Sequence, residues 1–101
     1  MSREIVFAPE AEAQLVELYR YIEHEASPDV ARSYADAIVA HCEKLEDFAE
    51  RGTPRGDLRP GLRTIAFRRR VTIAFTVDPD RVLILGIFYG GQDFESLVKD
   101  V

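Results

Sequence analysis

Leu62-Arg63-Thr64-Ile65-Ala66-Phe67, the arginines 68–70, and Val71-Thr72-Ile73-Ala74-Phe75-Thr76-Val77 follow one another without interruption. Asp78-Pro79-Asp80 breaks the chain, which resumes as Arg81-Val82-Leu83-Ile84-Leu85-Gly86-Ile87-Phe88-Tyr89 and closes on Gly90-Gly91-Gln92-Asp93. Three runs rich in β-branched and aromatic residues, separated by short polar breaks, form the pattern of an antiparallel meander. In the middle run Val71, Ile73, Phe75 and Val77 fall on one face, and Thr72, Ala74 and Thr76 on the other. From Val82 to Phe88 no polar face is left, which places the last run inside the sheet with both sides covered. Proline fixes φ and aspartate bonds nearby backbone, so Asp78-Pro79-Asp80 is a turn.

The residues before Leu62 supply the cover. Glu4-Ile5-Val6-Phe7 reads as a short strand. Pro9 suits the first position of a helix, and Glu10 and Glu12 lie in the first turn, where the helix dipole favours acids. Ala8 is a poor cap for it. Ala11, Leu15, Leu18, Tyr19 and Ile22 make an apolar stripe through about Glu25. Ser27-Pro28-Asp29 opens a second helix with a better cap. Its stripe is Val30, Tyr34, Ala35, Ile38, Val39, Cys42, Leu45 and Phe48, running to about Ala49. With only Ala26 and Ser27 between them, the helices fold back as an antiparallel hairpin. Residues 50–61 hold two prolines and three glycines and form a loop, anchored by Leu58. Residues 93–99 suit a short terminal helix capped by Asp93. The fold class is α+β: an N-terminal strand, then a helical hairpin packed on an antiparallel meander, then a short C-terminal helix.

The 101 residues suit one domain over 1–101, and 47% apolar with 31% charged composition is too apolar for disorder. No apolar run approaches the roughly 20 residues of a membrane helix, and residues 1–4 lack the pattern of a secretory signal. A cytoplasmic protein with no membrane contact is expected. Cys42 is the single cysteine, and its spacing to His24 and His41 suggests no metal site. It reads as a small apolar residue on a buried helix face. The net charge of −5 is unevenly spread: residues 1–50 carry −8 and residues 51–101 carry +3. That asymmetry is either plain solvation or the mark of an anionic partner for the basic half.

The chain holds no phosphate-binding glycine loop and no serine or cysteine in a nucleophile motif. The two histidines belong to helices. What stands out is arginine: Arg51, Arg55, Arg59, Arg63, Arg68, Arg69, Arg70 and Arg81 lie within 31 residues. Guanidinium groups grip carboxylates and phosphates bidentately. Hairpin tips and sheet edges also carry arginine simply to stay unpaired.

The order of strand, helical hairpin, arginine-rich loop, meander and terminal helix resembles the RelE/ParE superfamily of bacterial toxins from type II toxin–antitoxin pairs. The likeness rests on Leu15 with Leu18-Tyr19-Arg20-Tyr21-Ile22, on Gly61-Leu62-Arg63, on residues 71–78, and on Leu85-Gly86-Ile87-Phe88-Tyr89-Gly90-Gly91-Gln92-Asp93. The superfamily implies two mechanisms. RelE-like members cut mRNA on the ribosome, which needs cations to stabilise the phosphate charge. In that alignment Arg63 and Tyr89 would be the catalytic residues here, but Thr72 and Gln92 stand where the nuclease branch places cations. One lost charge-stabilising donor costs on the order of 2.7–4 kcal/mol. The stretch around Tyr89-Gly90-Gly91 and the long hairpin look more like the ParE branch.

That resemblance implies a toxin that inhibits DNA gyrase, needs no cofactor or catalytic residue of its own, and meets nucleic acid only through its partners. A cognate antitoxin would silence it, laying an apolar helix between the hairpin and the sheet. Contacts with target or antitoxin are expected at Arg51, Arg55, Arg59, Arg63, Arg70, Arg81, Tyr89 and Gln92. The alternatives are a RelE-like nuclease and a non-toxic binding module of the same fold.

Overall fold

The computed structural model describes residues 3–90. Strand β1 (Glu4–Phe7) leads into α1 (Pro9–Glu25) and α2 (Pro28–Glu43), and a single 3₁₀ turn follows at Lys44–Glu46. Then come β2 (Thr53–Pro54), β3 (Arg63–Phe67), β4 (Val71–Val77) and β5 (Arg81–Tyr89). The sheet has five strands in the order β1-β5-β4-β3-β2. As expected, β3, β4 and β5 form an antiparallel meander. The expected terminal helix at 93–99 lies outside the described residues, as does Gln92.

The first strand closes the sheet on one side by pairing parallel to β5, with Ile5 opposite Val82 and Phe7 opposite Ile84. The register explains the apparent flaw at Ala8. Its N–H donates to the Ile84 carbonyl at 2.9 Å, and its own carbonyl accepts from Glu12 at 3.0 Å. The sheet thus holds the start of α1, and a polar cap side chain there would be buried without need, since Ala8 is only 9% exposed. At α2 the cap is the expected one: Ser27 Oγ accepts from the Val30 N–H at 3.1 Å.

Helices cover one sheet face. Leu18 and Ile22 of α1 and Ala31, Ile38 and Cys42 of α2 pack with Val71, Ile73, Phe75, Val82, Ile84 and Ile87. The opposite face carries a second cluster of Leu62, Ala74, Leu85 and Phe88, against which Leu58 and Leu83 pack. Leu58 therefore anchors the loop as expected, though the expected 50–61 loop is interrupted by β2 at Thr53–Pro54, and β5 is covered on both sides.

The unbroken apolar run of β5 has a specific cause. Ala74 pairs with Gly86 but Phe75 pairs with Ile84, so Leu85 is an extra residue, a bulge that resets the alternation. Val82, Ile84 and Ile87 can then all face the helices while Leu85 and Phe88 face the other way. Beyond Ile84 no β1 residue remains to pair with β5. Gln14 of α1 takes over, its Oε1 accepting from the Ile87 N–H at 2.7 Å. A Cβ at Gly86 would strike the Phe88 ring and crowd that same Gln14 oxygen.

Two expectations for α2 need correction. The helix stops at Glu43 and not near Ala49. The 3₁₀ turn tightens the chain so that Leu45 enters the core, at 1% exposure, and the Glu46 carbonyl accepts from the Arg3 N–H at 2.9 Å, binding the edge next to β1. Helical phase is lost there, and Ala49 is buried while Phe48 is 59% exposed. Val30, in the first turn, is likewise half exposed and not part of the buried stripe. Cys42 is fully buried as expected, and burial, with the Glu43 charge adding to it, pushes its thiol up to about 12.

The three arginines 68–70 connect β3 to β4, and Arg68 (φ 51°) and Arg69 (φ 62°) are the central residues of a turn in which the Arg70 N–H donates to the Phe67 carbonyl at 3.2 Å. Two consecutive left-handed residues are the requirement of a tight hairpin turn that matches strand twist, usually met by Asn-Gly. Arg68 is compensated by lying over two rings, 4.9 Å from Phe67 and 5.4 Å from Tyr34. Glycine at Arg69 should therefore stabilise the protein by about 1 kcal/mol, and glycine at Arg68 by less. Urea midpoints of the two variants measure the difference.

Candidate functional site

The eight arginines crowded in the sequence are spread by the meander. From Val71 to Val77 strand β4 spans roughly 20 Å, and the chain turns at both ends. Arg70 and Tyr89 come to one end. Arg81 sits at the other, where its Nε lies 3.3 Å from Asp78 Oδ2 and is half exposed.

At the first end the side chains gather around tyrosine. Tyr89 pairs with Val71, and the Gly90 N–H donates to the Arg70 carbonyl at 2.8 Å. The Tyr89 ring lies 5.7 Å from Tyr21 of α1, tilted by 52°. Tyr34 of α2 meets Phe67 edge-on at 5.4 Å. The Tyr34 hydroxyl is buried and has no hydrogen-bond partner among the described residues. Burial first and Tyr89 second raise its pKa, while Arg68 and Arg70 act to lower it. Of the expected contact residues, Arg70 and Tyr89 lie at the same end of the sheet, with Tyr21, Tyr34 and Arg68 beside them. Tyr21 could have been suspected, since it lies off the apolar stripe and is 52% exposed.

The remaining arginines have internal duties. Arg55 grips Asp57 with two bonds, Nε to Oδ1 and Nη2 to Oδ2, each 3.0 Å. The Arg59 carbonyl accepts from the Leu62 N–H at 3.1 Å, within the loop that covers the far face of the sheet. Arg63 donates Nη2 to the Glu50 carbonyl at 2.7 Å and Nε to the Arg51 carbonyl at 3.0 Å. Arg51 lies over the Phe48 ring at 4.9 Å. Arg63 thus reads as a clamp on the preceding loop. It is opposite Phe75 while Tyr89 is opposite Val71, four residues and roughly 13 Å apart along β4. Thr72 pairs with Phe88, which belongs to the cluster on the sheet face away from the helices.

Among the described residues no group of His, Cys, Asp and Glu could hold a metal ion. No described helix is long and apolar enough to cross a membrane.

Comparison with solved structures finds a chain of the chromosomal ParDE toxin–antitoxin system from P. aeruginosa with the same fold. The TM-score is 0.77 at 24% identity, covering 88% of this chain and 97% of that one. No curated protein matches. A family model described as the ParE toxin of the type II toxin–antitoxin system parDE matches residues 5–94, which takes in both helices, every strand and the tyrosine end of the sheet. The chain belongs to the ParE toxin family of type II toxin–antitoxin systems.

Proposed function

We propose that this protein acts in the cytoplasm by inhibiting DNA gyrase and that a cognate antitoxin neutralises it. The observation that carries the reading is the family match over residues 5–94. The placement of Arg63 adds support. Its guanidinium is committed to the Glu50 and Arg51 carbonyls, away from Tyr89, so the pair needed by a RelE-like nuclease does not converge on one phosphate. Thr72 offers no charge in place of the missing cation.

The antitoxin contact is refined by the packing. Between helices and sheet the space is taken by core side chains such as Ile38, Cys42 and Phe75, all at 0% exposure. An antitoxin helix would instead find its apolar partners among the exposed Val16, Tyr21 and Val30. Arg70 with Tyr89 at the tyrosine end, and Arg51, Arg55, Arg59, Arg63 and Arg81 elsewhere, would meet acidic segments, with Gln92 as a further proposed contact. Rim charges of this kind speed association more than they deepen affinity.

The test is a pair of assays on the purified chain. Gyrase-driven supercoiling of relaxed plasmid should be blocked by the chain and restored by its antitoxin. A translation reaction containing it should show no codon-phased mRNA cuts. Intact supercoiling together with such cuts would reverse the assignment in favour of the nuclease branch.

A further inference from the structure

We propose that the corner between the end of α2 and the outer edge of β3 is a binding pocket for a phosphate group, free or carried on a small phosphomonoester. The proposal does not rest on the gyrase reading.

The cavity there has a volume of about 270 Å³. His41 and Lys44 reach it from the end of α2 and the turn that follows, Arg51 from the loop, and Thr53 and Thr64 from the sheet. No acidic side chain lines it. The acids of the same turn, Glu43 and Glu46, line a separate depression with Arg3 and Glu4. Three cationic or protonatable groups therefore line it, and Arg51 also borders the adjoining depression of Asp47, Phe48 and Glu50. Thr53 and Thr64 are directly opposed across β2 and β3 and border the cavity at the edge of the sheet, their side chains sharing the face of Ala74. A carboxylate has two oxygens to offer, whereas a phosphate monoester has three strong acceptor oxygens and nearly two charges. A wall lined by His41, Lys44 and Arg51 suits the more highly charged of the two.

The walls are built before any ligand arrives. The two bonds from Arg63 to the Glu50 and Arg51 carbonyls fix the segment that carries Arg51. Gly52 (φ 83°) packs so closely on β3 that a Cβ would overlap the Thr64 carbonyl and the Ile65 side chain. On the other side the His41 ring packs edge-on to Phe67 at 5.3 Å. β2 pairs with β3 only at Thr64 and Arg63, which leaves the edge at Ile65 and Ala66 open beside the cavity. Leu45, Ile65 and Ala66 supply an apolar wall on which a carbon skeleton could rest.

The charges around His41 agree with an anion site. Burial lowers its pKa below the ordinary histidine value, and Lys44 and Arg51 lower it further. Only a hydrogen bond with the Ala66 backbone acts in the other direction. The ring is thus biased toward the neutral form. A dianion in the pocket favours imidazolium, so binding must raise the His41 pKa, and by reciprocity protonation of His41 must tighten binding.

The experiment is an NMR titration of the full chain with inorganic phosphate, with sodium chloride at matched ionic strength as control and ribose 5-phosphate as a second probe. Saturable shifts are expected at the Gly52, Thr53 and Thr64 amides and at the His41 ring. The His41 titration midpoint should move up. Lys44→Ala and Arg51→Ala, both at exposed positions, should each weaken binding about tenfold with the spectrum still dispersed. Tighter binding of ribose 5-phosphate would assign the apolar wall to its carbon skeleton, and equal binding would make the phosphate alone the ligand; either sustains the proposal. Shifts that follow chloride without saturating, or that persist unchanged in the double variant, overturn it.

Discussion

Alanine at Phe75 should cost the fold about 3–5 kcal/mol, and alanine at Ile84 about 2–5 kcal/mol. Both side chains are completely buried. They are also cross-strand partners, Phe75 on β4 facing Ile84 on β5, at the point where the bulge resets the register. Removing either leaves a cavity under the helices that the neighbouring strands cannot close, because the bulge and the Ala8–Ile84 hydrogen bond pin β5 in place. For a domain of this size each kcal/mol moves the melting temperature by about 4–8 °C, so Phe75→Ala should lose on the order of 12 °C or more. Since Phe75 and Ile84 share one space, the double variant should cost less than the sum of the two. Phe48→Ala is the contrast: its ring is 59% exposed, and the expected change is within about 0.5 kcal/mol. Thermal and urea denaturation of the four variants decide the matter. A loss below about 1 kcal/mol at both Phe75 and Ile84 would mean that the meander does not hold the core.

Gly52→Ala should be the second large effect, and Gly61→Ala its measure. Both glycines are left-handed, at φ 83° and 77°. At Gly61 nothing lies within 4 Å of a built Cβ, so alanine meets only the backbone penalty, about 1–2 kcal/mol. At Gly52 the same penalty applies and the methyl group also overlaps the Thr64 carbonyl and Ile65. A backbone carbonyl in a sheet cannot swing aside as a long side chain can. Overpacking of this kind adds about 1–3 kcal/mol. Gly52→Ala should thus cost about 2–5 kcal/mol, clearly more than Gly61→Ala, and the His41 ring resonances should shift with the displaced wall. Equal costs at the two positions would show that the 50–53 segment lifts freely off β3.

The elements were legible in the sequence wherever a local rule governs them. Alternation in residues 71–77, the Ser27-Pro28-Asp29 start, the Asp78-Pro79-Asp80 turn and the two-residue link between helices each depend on neighbours in the chain, and each is found in the structure. Their order also carried the family likeness that the match over residues 5–94 bears out. The parallel pairing of β1 with β5 and the short β2 were not legible, because strand pairing joins residues far apart in the chain. The bulge at Leu85 is hidden for a related reason: an all-apolar run reads the same with or without a reset of alternation.

The end of α2 was misplaced because apolar spacing through Phe48 favours continuing the helix. A tertiary bond from Arg3 to Glu46 and the burial of Leu45 favour the tighter turn. Arginine shows the division most clearly. Its abundance in residues 51–81 was plain, yet strands of up to nine residues carry neighbours in sequence to opposite ends of the sheet. Tertiary structure then committed Arg63 to two backbone carbonyls and Arg55 to Asp57, and set Arg70 beside Tyr89. It brought Arg51 to a cavity shared with His41 and Lys44 from a different element. A sequence fixes which charges exist and which local conformations are cheap. Which charges meet is settled only when the strands pair, because register and burial decide which groups face one another and which carbonyls are left to hold them.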